Sequence, residues 1–465
     1  MTSMQQTLSP VDGTIYVERP YATPALIDAA QARAVTAQAA WKRQPLAERQ
    51  AICRKAVEAF AGNRDQIAQE LCWQMGRPIR YAAAEVSGVE ERANYMIDVA
   101  DEALAPIHIN EKAGLRRYIQ REALGVVFVV APWNYPYLTA INSVMPAILA
   151  GNAVLLKHSA QTPLCAERLV EAFQTAGLPD GVFQYLHMTH AETEKLIQSP
   201  SIDYVAFTGS VQGGAMVERA AAGRFIGVGL ELGGKDPAYV RADADADLDH
   251  AVETTIDGAF FNSGQSCCGI ERIYVDEALY DAFVDKAVAL VKQYKLGRSD
   301  DPKTTLGPVV RAAAADFVRG QIDEAVTQGA VTHIDPRDFP LDQPGTAYLA
   351  PQLLTNVNHS MRVMTEESFG PVVGIQKVSS DAEAIALMND SEFGLTASIF
   401  SRDIDTAIAL GDDVQSGTFF INRCDYLDPA LAWTGVKNSG RGCTLSKLGY
   451  ESLTRPKSFH IKTEL

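Results

Sequence analysis

The sequence has few of the features that mark nucleic-acid-binding, membrane or secreted proteins. Lys and Arg total 41 against 57 Asp and Glu, and the net charge of −16 comes without a basic run, which argues against a phosphate-binding surface. The longest apolar stretch, 123–132, is far shorter than the roughly 20 residues that cross a bilayer. Residues 1–14 lack the basic start and apolar core of a secretory signal. We therefore expect a cytoplasmic protein with neither a nucleic-acid nor a membrane partner.

Cysteine is sparse as well and follows no metal-binding pattern. There are seven cysteines, an odd number, of which five stand singly, and no CxxC pair occurs. The eight histidines form no HExxH sequence. These spacings support neither a disulfide framework nor a structural zinc site, so we predict no metal and a reducing compartment.

Helical patterns and short apolar runs fill most of the 465 residues. From 24 to about 105, apolar residues recur every three or four positions, which predicts amphipathic helices. From 123 onward, uniformly apolar runs such as 125–131 and 204–208 alternate with helices, as is typical of a parallel sheet buried on both faces. A second alternation begins after Gly233. The sequence thus predicts an α/β protein with two doubly wound parallel-sheet domains.

Two other segments alternate between charged and apolar residues. These are 106–122 and 457–462. The pattern predicts a hairpin arm and a C-terminal strand that stay exposed until another chain covers them.

A glycine-rich turn, Gly209 to Gly214, follows the predicted strand 205–208 and leads into an apolar helix. Backbone N–H groups at such a turn can approach a pyrophosphate at the positive end of the helix. The chain has neither a GxGxxG fingerprint nor a GxxxxGK phosphate loop, and glycines kept only for tight packing explain the turn equally well.

The segment 262–268, Asn-Ser-Gly-Gln-Ser-Cys-Cys, contains a candidate nucleophile. Cys267 lies between a glycine-containing approach and a small-residue exit, and flexible, accessible backbone of this kind suits a reactive thiol. A buried packing role is the alternative. The adjacent Cys267 and Cys268 cannot both point into one pocket.

Two predicted strand ends carry polar side chains suited to catalysis. Glu231 follows an apolar strand, where burial would raise its pKa and make it a general base near neutral pH. Asn134 stands between Pro132 and Pro136, which fix the turn and leave the Asn134 amide free to donate to an oxyanion. An ordinary loop carboxylate and a rigid aromatic turn are the alternatives.

Five motifs together resemble those of the aldehyde dehydrogenase superfamily, in its order and at about its spacings. They are Pro132-Trp133-Asn134, Phe207-Thr208-Gly209-Ser210, Glu231-Leu232-Gly233-Gly234-Lys235, Gly264-Gln265-Ser266-Cys267 and Glu366-Glu367-Ser368-Phe369-Gly370-Pro371-Val372. The resemblance covers nearly the whole chain. It implies NAD(P)-dependent oxidation of an aldehyde to a carboxylate, as in the hydrolytic, non-acylating members.

The resemblance assigns this chemistry to three residues. Cys267 would be the nucleophile that forms a thiohemiacetal and then a thioester, with the oxyanion held by Asn134 and the N–H of Cys267. Glu231 would activate water to hydrolyse the thioester. The alternatives are a CoA-acylating member, against which Glu231 argues, and a non-catalytic binding protein that retains the fold.

The same resemblance implies NAD or NADP as the cofactor. Its expected contacts are the pyrophosphate with Trp133, Gly209 and Ser210, the adenine ribose with Lys157, the nicotinamide ribose with Glu367, and the nicotinamide with Phe369. Many NAD-preferring members carry Glu three residues after the lysine, where this chain has Ala160. A carboxylate there would repel a 2′-phosphate, so we expect weak discrimination between NAD and NADP.

By resemblance, residues 1–104 and 124–232 form a dinucleotide-binding domain and 233–444 a catalytic domain. Residues 105–123 and 445–465 form a small β oligomerisation arm, which implies a homodimer or homotetramer.

The aldehyde tunnel implied by the resemblance leaves the substrate open. Its lining would be Tyr135, Leu138, Thr139, Asn142, Ser266, Cys268 and the loop 423–433. Arg423 would suit a carboxylate-bearing semialdehyde, whereas Asp425 and Asp428 would suit an aminoaldehyde. Tyr135 and Trp433 also permit aromatic aldehydes.

Overall fold

The computed structural model describes residues 3–110 and 112–464. The helices are α1 (Pro24–Trp41), α2 (Leu46–Ala61), α3 (Arg64–Met75), α4 (Ile79–Ala82), α5 (Ala84–Ala103), α6 (Pro136–Leu149), α7 (Pro163–Thr175), α8 (His190–Gln198), α9 (Val211–Ala221), α10 (Leu248–Phe260), α11 (Tyr280–Val291), α12 (Ala312–Thr327), α13 (Arg362–Thr365), α14 (Asp381–Asn389) and α15 (Ile404–Gly411). Short 3₁₀ helices span Ala242–Asp247, Phe261–Gly264, Pro336–Asp338 and Lys447–Leu453.

The strands of the described residues form two large sheets and three small ones. They are β1 (Met4–Leu8), β2 (Ile15–Pro20), β3 (Ile107–His108), β4 (Leu115–Ala123), β5 (Val126–Ala131), β6 (Ala153–His158), β7 (Phe183–Tyr185), β8 (Tyr204–Thr208), β9 (Gly227–Glu231), β10 (Asp236–Val240), β11 (Ile270–Asp276), β12 (Val331–Thr332), β13 (Gln352–Thr355), β14 (Val372–Val378), β15 (Phe393–Gly394), β16 (Thr396–Phe400), β17 (Thr418–Ile421), β18 (Val436–Lys437), β19 (Gly440–Arg441) and β20 (Thr454–Lys462).

The first large sheet has the order β19-β9-β8-β5-β6-β7, and all of its strands except the two-residue β19 are parallel. Strand β5 reads Val-Val-Phe-Val-Val-Ala and is buried at all six positions, because helices cover both faces of the sheet. The register pairs Thr208 at the end of β8 with Glu231 at the end of β9, and β5 ends beside them. Three strand ends therefore meet at one edge.

The second large sheet has the order β12-β13-β14-β11-β10-β16-β17, with β12 as its one antiparallel strand. Helix α10 leads from this sheet through the loop 261–269 into β11. That loop carries Cys267. The α/β architecture with two doubly wound parallel sheets is thus confirmed.

Strands β20, β4 and β3 form a separate antiparallel sheet. Nine residue pairs join β4 to β20, from Thr454 with Ala123 to Lys462 with Leu115, and the rings of Tyr118 and Phe459 stack with centroids 4.6 Å apart. Most of β20 is exposed. The small β arm is therefore present where the sequence predicted it, while the domain boundaries stay predictions.

The hairpin of β1 and β2 and the strands β7, β12 and β13 were not foreseen. In β1 the inward-facing residues are Gln5 and Thr7, so apolar alternation, the usual signal of a strand, is missing. Thr7 Oγ1 instead donates a 2.8 Å hydrogen bond to the Ala160 carbonyl. Among residues 3–110 and 112–464, no helix combines the length and the hydropathy of a membrane span.

Candidate active site

A cavity of about 160 Å³ lies where the ends of β5, β8 and β9 face the loop before β11. Its lining is Pro132, Trp133, Asn134, Thr208, Gly209, Ser210, Glu231, Leu232, Gly233, Cys267, Glu367 and Phe369. These include all three predicted catalytic residues and five of the six predicted cofactor contacts. The sixth, Lys157, stands outside this cavity in β6.

Cys267 is half-buried on the cavity wall, and the backbone before it is tightly fixed. Asn262 and Ser263 adopt left-handed φ values of 53° and 58°. Ser263 Oγ donates to the Gly307 carbonyl at 2.8 Å, and Gln265 Oε1 accepts from the Val310 N–H at 2.7 Å. The expectation of a flexible approach was therefore wrong, since tertiary hydrogen bonds hold the loop in a strained shape.

Cys268 points away from the cavity and is buried. Its thiol donates a 2.9 Å hydrogen bond to Asp425 Oδ1, which also accepts from Ser266 Oγ at 3.1 Å. The hydrogen bond with Cys267 and burial raise the pKa of Cys268 well above the ordinary value. Burial also raises the pKa of Asp425 to about 7. The two adjacent thiols therefore differ in setting, and Cys267 is the one that faces the cavity.

Glu231 is the last residue of β9, whereas the sequence predicted that it directly follows the strand. Thr444 Oγ1 donates to Glu231 Oε1 at 2.5 Å, and Thr208 Oγ1 donates to Oε2 at 3.2 Å. Burial raises the pKa of Glu231, and the Thr444 and Thr208 hydroxyls, followed by the Arg92 charge, oppose that rise. The carboxylate is thus basic enough to take a proton and is held by both oxygens.

Asn134 is held by hydrogen bonds to its backbone carbonyl, and its side chain is free to face the cavity. Its carbonyl accepts from Arg77 Nη2 at 2.6 Å and from Asn262 Nδ2 at 3.2 Å. Arg77 pairs with buried Glu85, whose Oε1 accepts from the backbone N–H of Tyr137 at 2.8 Å. The buried ion pair therefore ties α5, the start of α6 and the Asn134 turn together.

The sequence gave no notice of the Arg77 and Glu85 pair, because both residues read as ordinary surface charges of a helical region. Only Glu85 could have been recognised as a buried residue from the sequence. Glu85 falls on the apolar stripe of α5, between buried Ala82 and Val89, where an unpaired carboxylate would be costly.

The opposite wall of the cavity is aromatic and acidic. The rings of Trp133 and Phe369 meet edge to face with centroids 5.6 Å apart. Glu367 Oε1 accepts from the Gly234 N–H at 3.0 Å, while burial and the charge of Glu271 raise the Glu367 pKa to about 8. A Cβ at position 233 would lie 2.4 Å from Glu367 Oε1, so any larger residue there would push this carboxylate aside.

The turn from β8 into α9 begins beside this wall. Ser210 caps α9, with its Oγ accepting from the Gly213 N–H at 3.2 Å, and a Cβ on Gly209 would meet the Phe207 ring at 2.7 Å. Further along the same sheet edge, burial lowers the pKa of Lys157 to about 8. Ala160 is exposed just beyond it. A sheet edge with glycines, a lysine and a helix start fits a dinucleotide.

A profile that describes the aldehyde dehydrogenase family matches residues 2–459. This chain belongs to that family. The chain is 33% identical to the succinate-semialdehyde dehydrogenase [NADP(+)] of Mycolicibacterium paratuberculosis over 98% of its own length and 96% of that protein. It is 34% identical to the enzyme of the same name from Deinococcus radiodurans, over 97% and 93% of the two chains.

Solved structures agree with the family assignment. Succinic semialdehyde dehydrogenase from Streptococcus pyogenes in complex with NADP+ has a TM-score of 0.93 at 30% identity, covering 98% of this chain and 100% of that one. An aldehyde dehydrogenase from Brucella melitensis has a TM-score of 0.95 at 29% identity, covering 100% and 95%. The enzyme therefore oxidises an aldehyde with NAD(P), as the sequence predicted.

Proposed function

We propose that Cys267, Glu231 and Asn134 carry out the oxidation at the cavity between the two parallel sheets. The observation that carries this proposal is that one 160 Å³ cavity is lined by all three, although they come from segments up to 133 residues apart. A thiol, a carboxylate of raised pKa and a carboxamide on one wall suffice for covalent acyl chemistry.

In the first step the Cys267 sulfur adds to the aldehyde carbon and gives a thiohemiacetal. The negative charge on its oxygen is stabilised by the Asn134 amide and the backbone N–H of Cys267. The Arg77 contact to the Asn134 carbonyl holds that amide in place, so it need not reorganise during the reaction. When bound, the nicotinamide cofactor supplies the hydride acceptor that turns this adduct into a thioester.

In the second step Glu231 takes a proton from water, and the resulting hydroxide attacks the thioester carbon. The carboxylate product leaves and the Cys267 thiolate returns. Thr444 and Thr208 orient the two Glu231 oxygens for this proton transfer.

The cofactor would lie in the cavity and along the sheet edge formed by the ends of β8, β5 and β6. We assign the pyrophosphate to Trp133, Gly209 and Ser210, the nicotinamide ribose to Glu367 and the nicotinamide face to Phe369. Lys157 would reach the adenine ribose, and its exposed neighbour Ala160 offers nothing that repels a 2′-phosphate. Both NAD and NADP should therefore be accepted, with NADP favoured by the names of the relatives.

The relatives point to a short semialdehyde, and we propose succinate semialdehyde as the first substrate to test. The charges considered from sequence now fall into two groups. Arg423 and Asp428 are exposed, with the Arg423 guanidinium 3.7 Å above the Tyr426 ring, whereas Asp425 lies inside, bonded to Cys268 and Ser266.

We further propose that the enzyme is a cytoplasmic homodimer or homotetramer. The sheet of β20, β4 and β3 supports the oligomer, because the long exposed edge strand β20 offers an unpaired edge to a second copy.

The test uses the purified protein, succinate semialdehyde and either NAD or NADP. We expect reduced nicotinamide to accumulate, and mass spectrometry after acid quenching to find the succinyl group on the peptide that contains Cys267. Omission of CoA should not slow turnover. No reduced nicotinamide with any aldehyde, or acylation of a different cysteine, would overturn the proposal.

A further inference from the structure

A buried ion pair lies next to the loop that carries Glu367 and Phe369. Glu271, the second residue of β11, is 4% exposed, and Lys235, the residue before β10, is 1% exposed. The Lys235 Nζ donates to Glu271 Oε2 at 2.5 Å and to Ser368 Oγ at 3.0 Å. Neither charged residue lines the 160 Å³ cavity. The pair therefore acts on that cavity only through the residues that it holds.

The Glu271 carboxylate binds the backbone of this loop. Its Oε2 accepts from the Ser368 N–H at 2.8 Å, and its Oε1 accepts from the Phe369 N–H at 2.9 Å. Phe369 has a left-handed φ of 52°, a conformation that an aromatic residue keeps only when its surroundings enforce it. Because one carboxylate binds two successive N–H groups, it holds the loop in this strained conformation.

Ser368 stands between two residues that line the cavity, Glu367 and Phe369. The ion pair binds Ser368 through both its N–H and its hydroxyl. On one side of Ser368, the Phe369 ring meets the Trp133 ring edge to face, with centroids 5.6 Å apart. On the other side, Glu367 Oε1 accepts from the Gly234 N–H at 3.0 Å. The conformation of Ser368 therefore decides where both neighbouring side chains enter the cavity.

Stability alone does not explain a buried ion pair at this position. Two charges lose their hydration when they are buried, and apolar residues of similar size often stabilise a protein as well or better. Burial lowers the pKa of Lys235, although the Glu271 charge opposes that change. Apolar residues would leave the Ser368 and Phe369 N–H groups without an acceptor. The pair therefore serves the geometry of the loop.

We propose that Glu271 is a positioning residue for the nicotinamide half of the cofactor. It holds the loop in the conformation from which Glu367 reaches the nicotinamide ribose and Phe369 packs on the nicotinamide. This inference rests on the proposed function, which assigns those two contacts. The adenosine half is assigned to Lys157, which lies outside the cavity in β6, so its binding should not depend on Glu271.

The experiment compares two double variants that leave no buried charge of this pair without its partner. Glu271→Gln with Lys235→Met keeps an oxygen that accepts from the loop, whereas Glu271→Ala with Lys235→Met removes it. Burial and then the Glu271 charge raise the pKa of Glu367, and the Lys235 charge lowers it. Because both variants lose both charges, they differ only in the acceptor for the Ser368 and Phe369 N–H groups.

Isothermal titration calorimetry without aldehyde measures the Kd of NADP and of adenosine 2′,5′-bisphosphate, which contains only the adenosine half. We expect the alanine variant to bind NADP about tenfold more weakly than the glutamine variant, because the loop loses its acceptor. Both variants should bind adenosine 2′,5′-bisphosphate as wild type does. A general loss of structure would weaken the binding of both ligands.

Two single variants complete the comparison. Glu271→Asp keeps the charge and withdraws the oxygens from the loop, so NADP should bind about threefold more weakly. Asp243→Asn is the matched control, because Asp243 Oδ2 accepts from the successive N–H groups of Arg402 and Asp403 at 3.1 Å and 2.9 Å, beyond the other end of β10. It should leave both Kd values unchanged.

Equal NADP affinities in the two double variants would overturn the proposal. If the alanine variant does not fold, a wild-type NADP affinity in Glu271→Asp overturns it instead. Parallel loss of adenosine 2′,5′-bisphosphate binding, or weaker NADP binding in Asp243→Asn, would show a merely structural role. These outcomes leave the proposed function intact, whereas a wild-type protein that binds neither ligand overturns the proposed cofactor site and this inference with it.

Discussion

The two sides of Cys267 are built differently. The cofactor side is an open cavity of about 160 Å³ whose walls are strand ends, glycines and two aromatic rings. The aldehyde side is filled by side chains: Cys268 is 2% exposed and bonded to Asp425, and Leu138 and Leu427 pack against the hydrophobic core to which Cys268 belongs. The first side leaves room for a ligand, whereas side chains occupy most of the second.

The difference shows which groups give each side its shape. On the cofactor side, backbone turns and glycines do most of the shaping, and a Cβ at position 233 would already displace Glu367. On the aldehyde side, single side chains do the shaping, such as Asp425, which accepts hydrogen bonds from Ser266 and Cys268. Variants placed on either side, or at Cys267 and Glu231 between the two sides, test this contrast. We call these two residues the boundary.

The largest effect is expected at the boundary itself. Cys267→Ala removes the nucleophile that both sides serve, so kcat should fall by about four orders of magnitude or more. Cys268→Ala is the control, since its thiol bonds to Asp425 and does not line the cavity. The rate of nicotinamide reduction measures both. Equal losses in the two variants would show that the structure places the wrong thiol at the boundary.

Glu231→Gln separates the two proposed steps, acylation of the thiol and hydrolysis of the thioester. The amide cannot accept a proton from water, so steady turnover should slow by about 10²- to 10⁴-fold. Acylation needs no hydrolytic base, so a burst of reduced nicotinamide should remain in rapid-mixing measurements. Glu231→Asp serves as a control that keeps the charge. Loss of the burst with normal steady turnover would contradict the role of Glu231 in hydrolysis.

Ala160→Glu tests the cofactor side alone. A carboxylate at this exposed position should repel the 2′-phosphate and raise the KM for NADP about tenfold, with a smaller change for NAD. Ala160→Gln matches its size without the charge and should leave the preference near that of wild type. An equal effect of Ala160→Glu on both cofactors would mean that residue 160 does not face the ribose.

Thr444→Val should have the smallest effect on turnover. The effect should be visible in the dependence of kcat on pH. The Thr444 hydroxyl stabilises charged Glu231, so its loss raises the Glu231 pKa further. Because the base works only when deprotonated, the acid limb of kcat should move to higher pH. Turnover below that limb should drop about fivefold, the worth of one ordinary hydrogen bond. Thr444→Ser should restore the profile, and an unmoved limb in Thr444→Val would show that Thr444 does not act on the base.

Sequence reasoning reached the cofactor side more fully than the aldehyde side. Gly209, Glu231 and Asn134 lie at or just after the ends of apolar strands, and parallel strands bring their ends to one edge, so their assembly was foreseeable. The α/β fold and the NAD(P)-dependent reaction are confirmed. The roles of the individual site residues and the domain boundaries stay predictions.

The sequence did not predict which charged residues of the helices are buried. Arg77, Glu85 and Arg92 sit among exposed charges of α5 and its approach, and nothing local marks them as paired or unpaired. The orientation of the Asp425 side chain could not be predicted either. Asp425 adopts a left-handed backbone conformation, with a φ of 47°, that is imposed by the loop around it.

The sequence by itself determined the alternation of strands and helices in the two parallel sheets and the chemistry available at strand ends, because periodicity and motif spacing are local properties of the chain. Only the tertiary structure decided which of two adjacent thiols faces the cavity, which arginine forms a buried ion pair and which carboxylates already have partners. Those outcomes depend on desolvation and on contacts between segments far apart in the chain, and no local pattern of residues encodes them.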